Sequence, residues 1–527
     1  MRVLVTDPIA DAGLARLRDA GHEVTTAYDV EGDALLDAVS DAHALVVRSG
    51  TEVTEAVFEA APDLVIVGRA GIGVDNIDID AATDHGVVVA NAPEGNVRAA
   101  AEHTVALAFA TARSVPQAHA RLTDGEWAKG DYLGTELNGK TLGVVGLGRV
   151  GQEVAKRLDG LGMDLVAYDP YIGEERAAQL GAELVEFEEC VARADFLTVH
   201  VPLTDETEGL VGEAELAEME DGYVVNVARG GVVDEAALAE AADDGVIAGA
   251  ALDVFAEEPL SADSPLLSAD NVVTTPHLGA STQAAQQNVA TDTADQVVAA
   301  LAGDPVVNAL NAPSVEQSAF DRIRPYVDLA ETAGTVAAGL FDGRVERVGV
   351  SYHGDVAGEN VELVTAAAQQ GAFAGLEWQV NAVNAPRVAE DRGIEVTETK
   401  NRQSEDFQSL VSVTVGNDEN DLTVSGTLFA GEDPRLVEID GFRVEAVPHG
   451  HMLVARNRDE PGVIGFIGTV LGDAGVNIAG MFNARETRGG EAVTVYNLDS
   501  DVPEDARERL VSDDRIVDVT SIELNGE

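Results

Sequence analysis

Three polar segments late in the chain each follow an apolar run, and together they carry an arginine, a carboxylate and a histidine. Arg229 lies in NVARGG, Glu258 in LDVFAEEP and His277 in TPHLGA. Because ligands bind beyond the carboxyl ends of the strands in an open parallel sheet, we expect these side chains to converge. A cation that holds a carboxylate, a base that takes a hydroxyl proton and an acid that orients the base are what hydride transfer on a 2-hydroxyacid requires.

A glycine-rich turn upstream predicts a dinucleotide site. Gly146, Gly148 and Gly151 lie in GLGRVG, between the apolar run TLGVV and the helical segment QEVAKRL. The first glycine allows a tight turn, the second lets phosphate approach the backbone, and the third lets helix and strand pack closely. Asp169 follows the next apolar run. A carboxylate there accepts a ribose 2′-hydroxyl and repels a 2′-phosphate, which favours NAD over NADP.

The elements that must position these residues follow an α/β pattern. Strand-like runs alternate with helical stretches over residues 1–97, and six further runs, from TLGVV to NVVTTP, make a complete doubly wound unit. Residues 98–135 read as helical, and a long helix over about 281–302 leads out of the unit. NAPSVEQ, at 311–317, reads as a linker.

Beyond residue 318 the glycine-rich strand–turn–helix pattern fades. Residues 405–447 alternate as strands do, with turns at GNDEND and GEDP, and the segment from 451 reads as strand, turn, helix and two or three strands. The predicted fold is α/β, with two doubly wound parallel-sheet domains followed by two α+β domains. The predicted domain limits are 1–97 (completed by 283–312), 98–282, 318–447 and 451–527.

The segments NVARGGVVDE, ALDVFAEEPL and TPHLGAST resemble the signatures of the D-isomer-specific 2-hydroxyacid dehydrogenases, over residues 1 to about 310. The resemblance implies that His277 is the general acid/base, that Glu258 orients it, and that Arg229 binds the substrate's carboxylate and carbonyl. It places Asp253 against the nicotinamide amide. The cofactor residues that it implies are Gly146, Gly148, Arg149, Val150, Gly151, Asp169, Val201, Pro202, Val227, Ala228, Arg229, Asp253, His277, Gly279 and Ala280.

The segments ALVVRSGTEV and VGRAGIGVDNIDI are similar to the phosphoglycerate dehydrogenase branch of that family. In that branch an arginine from each segment meets the substrate. The implied substrate residues are Arg48, Ser49, Arg69, Gly73 and Asn96. Ile72 stands where threonine is often found in the branch.

The C-terminal segments support the same branch. GTLFAGEDPRLVEIDGFRVEAVPHGHML resembles the extra domain of the long members, and residues from 451 resemble an ACT domain, with Asn457, Asp459 and Asn477 as candidates to bind a regulatory amino acid such as L-serine. The resemblance implies NAD-dependent oxidation of 3-phospho-D-glycerate to 3-phosphohydroxypyruvate, the first step of serine synthesis, by a homodimer or homotetramer. A reductase of glyoxylate or hydroxypyruvate, and an NAD-sensing co-repressor, remain alternatives.

Charge and cysteine content limit the partners. The chain has 94 acidic and 33 basic residues, of which only four are lysines, and its net charge is −61. Such a field repels nucleic acid and anionic membranes and favours a salt-rich cytoplasm, because molar salt shortens the Debye length to about 3 Å. Cys190 is the single cysteine, so no metal site of several cysteines and no disulfide is predicted. With neither a signal peptide nor an apolar span, a cytoplasmic location is expected.

Overall fold

The computed structural model describes residues 1–315, 317–376, 380–404 and 406–524, which form four β-sheets. Two sheets are wholly parallel, the third is mixed and the fourth is antiparallel. Glu316 of the predicted linker, Glu405 at the start of the alternating segment, and residues 525–527 of the predicted last domain lie outside the described residues.

The N-terminal sheet has five parallel strands in the order β2-β1-β3-β4-β5. Its elements are β1 (Arg2–Val5), α1 (Asp11–Asp19), β2 (Glu23–Thr26), α2 (Asp33–Val39), β3 (Ala44–Val47), α3 (Glu55–Ala60), β4 (Ile66–Arg69), α4 (Ile79–Asp84) and β5 (Val88–Asn91). All four residues of β3 are buried, as expected for a parallel strand that is covered by helices on both faces.

The second sheet has seven parallel strands in the order β12-β11-β10-β9-β6-β7-β8, so the direction of growth reverses between β6 and β9. Its elements are α5 (Val97–Ala112), α6 (Val115–Thr123), a 3-10 turn (Lys129–Asp131), β6 (Thr141–Val145), α7 (Arg149–Asp159), β7 (Asp164–Tyr168), α8 (Glu174–Gln179), β8 (Ala182–Leu184), α9 (Phe187–Arg193), β9 (Phe196–Val199), α10 (Glu213–Glu218), β10 (Tyr223–Asn226), α11 (Glu235–Asp243), β11 (Gly249–Leu252), a 3-10 turn (Pro265–Leu267) and β12 (Val272–Thr274). This is the Rossmann order with one additional strand, and such sheets bind ligands where the order reverses.

Helix α12 (Gln283–Leu301) carries the chain back to the N-terminal sheet and packs against α1. A side chain at Gly13 would collide with the backbone of Ala290, so the two helices touch where glycine removes the side chain. Asn311 then donates to the carbonyl of Val87 and accepts from the amide of Val89, at 2.8 Å each, which anchors the returning segment to β5.

The third sheet is mixed and has the order β14-β13-β15-β16-β17-β18. Its elements are α13 (Gln317–Leu340), β13 (Arg347–Gly354), a 3-10 turn (Asp355–Gly358), α14 (Glu362–Ala372), α15 (Ala385–Asp391), β14 (Glu395–Asn401), β15 (Ser409–Gly416), β16 (Asp421–Phe429), β17 (Asp433–Ile439) and β18 (Phe442–Ala446). Alternate residues of β13 are buried, because α13 and α14 cover only one face of this sheet.

The C-terminal sheet is antiparallel, with the order β20-β21-β19-β22. Its elements are β19 (Gly450–Arg458), α16 (Val463–Asp473), β20 (Ile478–Arg485), β21 (Glu491–Leu498), α17 (Glu504–Val511) and β22 (Ile516–Leu524). This βαββαβ arrangement is the ferredoxin-like one, with both helices packed on the face of Leu453 and Tyr496.

The structure confirms the predicted α/β class and adds elements that the sequence did not indicate. Strands β2 and β8 are short: β2 has no buried residue and β8 has three residues, so neither produces an apolar run. Cys190 is buried on α9, and burial raises the pKa of its thiol to about 12. Within the described residues no helix is long and apolar enough to cross a bilayer.

Candidate active site

The glycine-rich turn between β6 and α7 lies where the strand order reverses. Gly146 has φ +93°, and a side chain there would come within 2.9 Å of the His200 carbonyl oxygen at the end of β9. A side chain at Gly151 would collide with the Gly146 carbonyl, so the helix packs directly on the turn. Gly148 borders open space at the N-terminus of α7, where unpaired backbone amides can meet a phosphate.

Asp169 follows β7 and fixes the glycine-rich turn. Its Oδ2 accepts from the Leu147 amide at 2.8 Å, and its Oδ1 accepts from the Tyr171 amide at 2.9 Å. Each carboxylate oxygen has further lone pairs, so this half-buried side chain can still accept from a ribose hydroxyl.

The remaining predicted cofactor residues surround the same crevice. Val201 lies against Gly146, and Val227 lies against Gly279. Arg149 and Val150 open α7, Pro202 is exposed, and Ala228 and Ala280 are half-buried beside the carboxyl ends of β10 and β12.

His277 and Glu258 form a direct pair. The Nδ1 atom of His277 lies 2.7 Å from Glu258 Oε2, while Glu258 Oε1 accepts from the Phe255 amide at 3.0 Å. Bonding through Nδ1 leaves Nε2 as the nitrogen that can exchange a proton with a ligand. His277 has φ +53°, a conformation that costs a non-glycine residue free energy and that surrounding contacts must maintain.

Asp253 supplies those contacts from beneath the turn that carries His277. Its carboxylate has no exposed surface and accepts from the amides of Leu278 and Gly279, both at 2.7 Å. Thr275 Oγ1 donates to it at 2.5 Å, and His103 Nε2 lies 3.2 Å away. Burial alone would raise the pKa of Asp253, but the hydrogen bonds from His103, Thr275 and Leu278 outweigh burial and hold the pKa below its ordinary value.

The sequence analysis did not single out His103 or Thr275. A buried carboxylate requires partners, so an Asp that follows an apolar strand is itself the signal to look for donors on neighbouring elements. His103, on α5, is such a donor. The structure encloses Asp253 among its own chain's donors, and the contact with the nicotinamide amide that the resemblance implies stays a prediction.

Arg229 is held by its own turn and reaches the N-terminal domain. Asn226 Nδ2 donates to the Arg229 carbonyl at 2.8 Å, and Arg229 Nη1 donates to the Ala228 carbonyl at 2.7 Å. Across the cleft, Arg229 Nε lies 3.2 Å from Asp75 Oδ2. A side chain at Gly73 would collide with Arg229 Nη2, so Gly73 and Arg229 are in contact.

Three guanidinium groups, those of Arg48, Arg69 and Arg229, form what we call the arginine cluster. Burial, followed by repulsion from Arg229 and Arg48, lowers the pKa of Arg69 to about 10. The buried Nε of Arg69 has no hydrogen-bond partner in the part of the chain that the structure describes. A buried cation with an unpaired donor is costly, so the cluster is suited to receive an anion.

The other predicted substrate residues are Asn96 and Ser49. The buried Oδ1 of Asn96, at the N-terminus of α5, is without a partner within the described ranges. Ser49 is exposed beside Arg48, whose amide donates to Asp7 at 2.6 Å. The structure therefore groups Arg48, Arg69 and Gly73 with Arg229, and leaves Ser49 at the rim.

The three predicted regulatory residues lie at two ends of the C-terminal sheet: Asn457 and Asp459 are at the end of β19, and Asn477 is at the opposite end, before β20. Asn457 is buried: its Nδ2 donates to the Arg458 carbonyl, and its Oδ1 accepts from Thr494. Asp459 accepts from the Gly489 amide at 2.9 Å and pairs with Arg485, and both hold the pKa of Asp459 below its usual value. Asn477 is exposed, so Asp459 and Asn477 are more accessible to a ligand than Asn457.

Comparison with known proteins identifies the family. The model for "D-isomer specific 2-hydroxyacid dehydrogenase, NAD binding domain" matches residues 105–279, and that for "D-3-phosphoglycerate dehydrogenase intervening domain" matches residues 322–440. The D-3-phosphoglycerate dehydrogenase of Archaeoglobus fulgidus is 45% identical, over 99% of this chain and 100% of the relative. That of Bacillus subtilis is 40% identical, over 99% of each chain. The chain belongs to the D-3-phosphoglycerate dehydrogenase family.

Solved structures resemble part of this family member. The TT0316 protein of Thermus thermophilus is 34% identical with a TM-score of 0.56, and covers 59% of this chain and 100% of its own. An NAD-dependent formate dehydrogenase of Staphylococcus aureus, solved in complex with NAD, is 30% identical with a TM-score of 0.53, over 58% of this chain and 97% of its own.

The cofactor of this family member is NAD, and the glycine-rich turn fits it. Open space at Gly148, the amino end of α7 and the carboxylate of Asp169 meet the needs of a pyrophosphate and an unphosphorylated ribose.

Proposed function

We propose that this protein catalyses the NAD-dependent oxidation of 3-phospho-D-glycerate to 3-phosphohydroxypyruvate, the first step of L-serine biosynthesis. The observation that carries the proposal is the arginine cluster, since a protein of net charge −61 holds three guanidinium groups close together. A substrate with both a carboxylate and a phosphate needs such local cations. The residue after Arg229, Gly230, packs on the backbone of Phe255, whose amide binds Glu258. Relatives matched over nearly their full length, named D-3-phosphoglycerate dehydrogenase, support this substrate.

The chemistry follows from the geometry of the chain's own groups. Arg229 binds the substrate carboxylate and polarises the developing carbonyl, while Arg48 and Arg69 bind the phosphate. Nε2 of His277 accepts the proton of the C2 hydroxyl, and Glu258 stabilises the imidazolium through Nδ1. Bound NAD supplies the acceptor for the hydride from C2. Asp253, His103 and Thr275 hold the turn of His277 in place.

The test is a steady-state comparison of 3-phospho-D-glycerate with D-glycerate, with NAD, in molar KCl. We expect kcat/KM to be at least a hundredfold higher for the phosphorylated acid, since each well-placed charge-assisted contact contributes about 1.5–3 kcal/mol. Equal rates on both acids, or a preference for glyoxylate or hydroxypyruvate as oxidant of NADH, would favour a general 2-hydroxyacid reductase instead.

We further propose that the C-terminal sheet is an ACT domain that binds L-serine, within the predicted limits 451–527. Its βαββαβ order and the accessible polar groups of Asp459 and Asn477 support this assignment. Calorimetric titration with L-serine should give saturable binding, and deletion from residue 450 onward should abolish it while leaving turnover. Absence of binding to the full chain would remove serine as the effector.

The oligomeric state that we propose is a homodimer or homotetramer that assembles through α6 and the segment after it. None of the nine residues of α6 is buried. Val115, Leu122, Trp127 and Leu133 are all exposed there, Leu133 completely. A helix of this length has marginal stability unless it packs against something, and exposed apolar groups of this kind mark an interface.

Charge supports a second copy as the partner for this segment, which we call the arm (residues 113–136). The arm contains three basic and four acidic residues, whereas the whole chain contains 33 and 94. Two copies can therefore approach along this surface with less repulsion than elsewhere. We also propose a salt-rich cytoplasm as the setting, on the strength of the net charge.

A further inference from the structure

An acidic side chain, that of Asp75, contacts the arginine cluster. Asp75, in the segment after β4, lies 3.2 Å from Arg229 through Oδ2 and Nε; the side chain of Asp75 is 70% exposed and that of Arg229 is 28% exposed. Asp75 belongs to the N-terminal domain and Arg229 follows β10 of the second sheet, so the pair spans the cleft in which the substrate binds.

The contact with Asp75 occupies the Nε side of the Arg229 guanidinium, which a substrate carboxylate needs in order to bind through two parallel N–H groups. A guanidinium binds a carboxylate best through two parallel N–H groups. In Arg229, Nη1 donates to the Ala228 carbonyl, Nε faces Asp75 and Nη2 lies against Gly73. A substrate carboxylate can form the paired contact through Nε and Nη2 only after Asp75 moves away.

The charges of the cluster lead to the same conclusion. Attraction from Asp75 and Asp7 opposes the repulsion that Arg229 and Arg48 exert on Arg69. With Asp75 and Asp7 in place, the three guanidinium groups and these two carboxylates carry a net charge of +1, and withdrawal of Asp75 raises it to +2. A phosphorylated carboxylate brings one charge from the carboxylate and roughly 1.5–2 from the phosphate. The net charge of the cluster is therefore closer in magnitude to that of the substrate when Asp75 has withdrawn.

We propose that Asp75 is a resident anion of the substrate site, which holds Arg229 while the substrate is absent and which the substrate's carboxylate displaces. This proposal deepens the proposed function and rests on the role of Arg229 given there. Because Asp75 is tethered beside Arg229, its effective concentration exceeds that of a free anion at low concentration. An anion with one charged group must displace it through a single contact. The phosphorylated substrate gains further contacts at Arg48 and Arg69 that offset the exchange, so it displaces Asp75 at a lower concentration than an anion with one charged group does.

The first test measures sulfate binding by calorimetry at constant ionic strength, on the full chain without substrate. Asp75→Asn should bind sulfate about three- to fivefold more tightly than the wild type, the range for releasing a partly exposed ion pair. Asp75→Glu, which retains the charge, should remain close to the wild type. Asp63→Asn is the matched control, because it removes an exposed carboxylate in the same domain away from the cluster. Equal sulfate affinity in all four proteins, or equal tightening in the Asp63 variant, would overturn the proposal.

The second test measures kinetics. Asp75→Asn should lower KM for both 3-phospho-D-glycerate and D-glycerate by a similar factor of about three to five, because the carboxylate of either acid displaces the same side chain. A rise in KM with a fall in kcat would instead mean that Asp75 orients Arg229 for catalysis. Unchanged melting temperatures exclude a folding defect. Sulfate binding requires no turnover, so failure of the wild type to oxidise 3-phospho-D-glycerate would reject the proposed function without deciding the role of Asp75.

Discussion

At the scale of single residues, the site depends on a histidine that its surroundings hold in an unfavourable backbone conformation. His277 has φ +53°, and the amides on its C-terminal side are bound to the buried carboxylate of Asp253. The free energy of this conformation is recovered from the hydrogen bonds below the turn. The direction of the imidazole is thus set by groups that never contact the substrate.

Replacement of His277 by Asn tests the proton acceptor. Asparagine tolerates positive φ and can still bond Glu258, so the turn should survive. We expect turnover to fall roughly a hundredfold or more, the usual scale for loss of a general base, while the dissociation constant for NAD stays unchanged. Turnover within a few-fold of the wild type would assign the proton to another group.

Replacement of Asp169 by Asn tests whether this carboxylate makes the protein prefer NAD to NADP. The amide oxygen can still accept from one of the two backbone amides, but the negative charge is lost. The ratio of kcat/KM for NAD to that for NADP should fall about tenfold, because a close charge at a protein surface contributes of order 1 kcal/mol or more. Asp164→Asn, at the opposite end of β7, is the control and should leave the ratio unaltered. An unaltered ratio in the Asp169 variant would mean that the ribose is recognised elsewhere.

Functional residues can be predicted from the sequence when they directly follow an apolar strand and belong to a local motif. Arg229, Glu258 and His277 are of this kind. Asp75, His103 and Thr275 act through tertiary contacts: Asp75 meets Arg229 across 154 positions of chain, and His103 reaches Asp253 from a helix of another segment. The spacing of these residues along the sequence does not indicate such contacts.

At the scale of elements, the arm is the one whose stability the single chain does not explain. Substituting Trp127 and Leu133 together by Ser should dissociate the assembly, because it removes apolar area that only a partner can bury. Sedimentation velocity would report the change in mass. Trp127 is one of two tryptophans, so its fluorescence should also shift on assembly.

Tyr171→Ser is the control for the arm, since Tyr171 is 95% exposed and lies outside it. Loss of assembly in the Tyr171 variant, or none in the double variant, would place the interface elsewhere.

Helices and strands could be predicted from the sequence where both of their faces, or one whole face, are buried. The central parallel strands β9, β10 and β11 are buried throughout and consist mostly of apolar residues. Edge strands such as β2 are hard to predict from the sequence, because one side has no neighbouring strand and polar residues are tolerated there.

At the scale of the whole molecule, net charge should govern stability. We expect the melting temperature to rise steeply as KCl increases from 0.1 to 3 M, because the Debye length falls from about 10 Å to less than 3 Å and the repulsion among 94 acidic residues is screened. Activity lost on dialysis into dilute buffer should return in molar KCl. A melting temperature that is independent of salt would contradict this expectation.

The N-terminal sheet is joined to the second sheet by two chain crossings, just before Val97, where α5 begins, and just before Gln283, where α12 begins. Two fixed points define a line, so a movement that preserves both crossings is a rotation about one axis. Arg48 and Arg69 belong to the part of the chain that forms the N-terminal sheet, whereas Glu258 and His277 follow strands of the second sheet. A rotation about that axis would therefore change the distance between the proposed phosphate-binding arginines and the proposed proton acceptor, and in the proposed function this distance must match the length of the substrate.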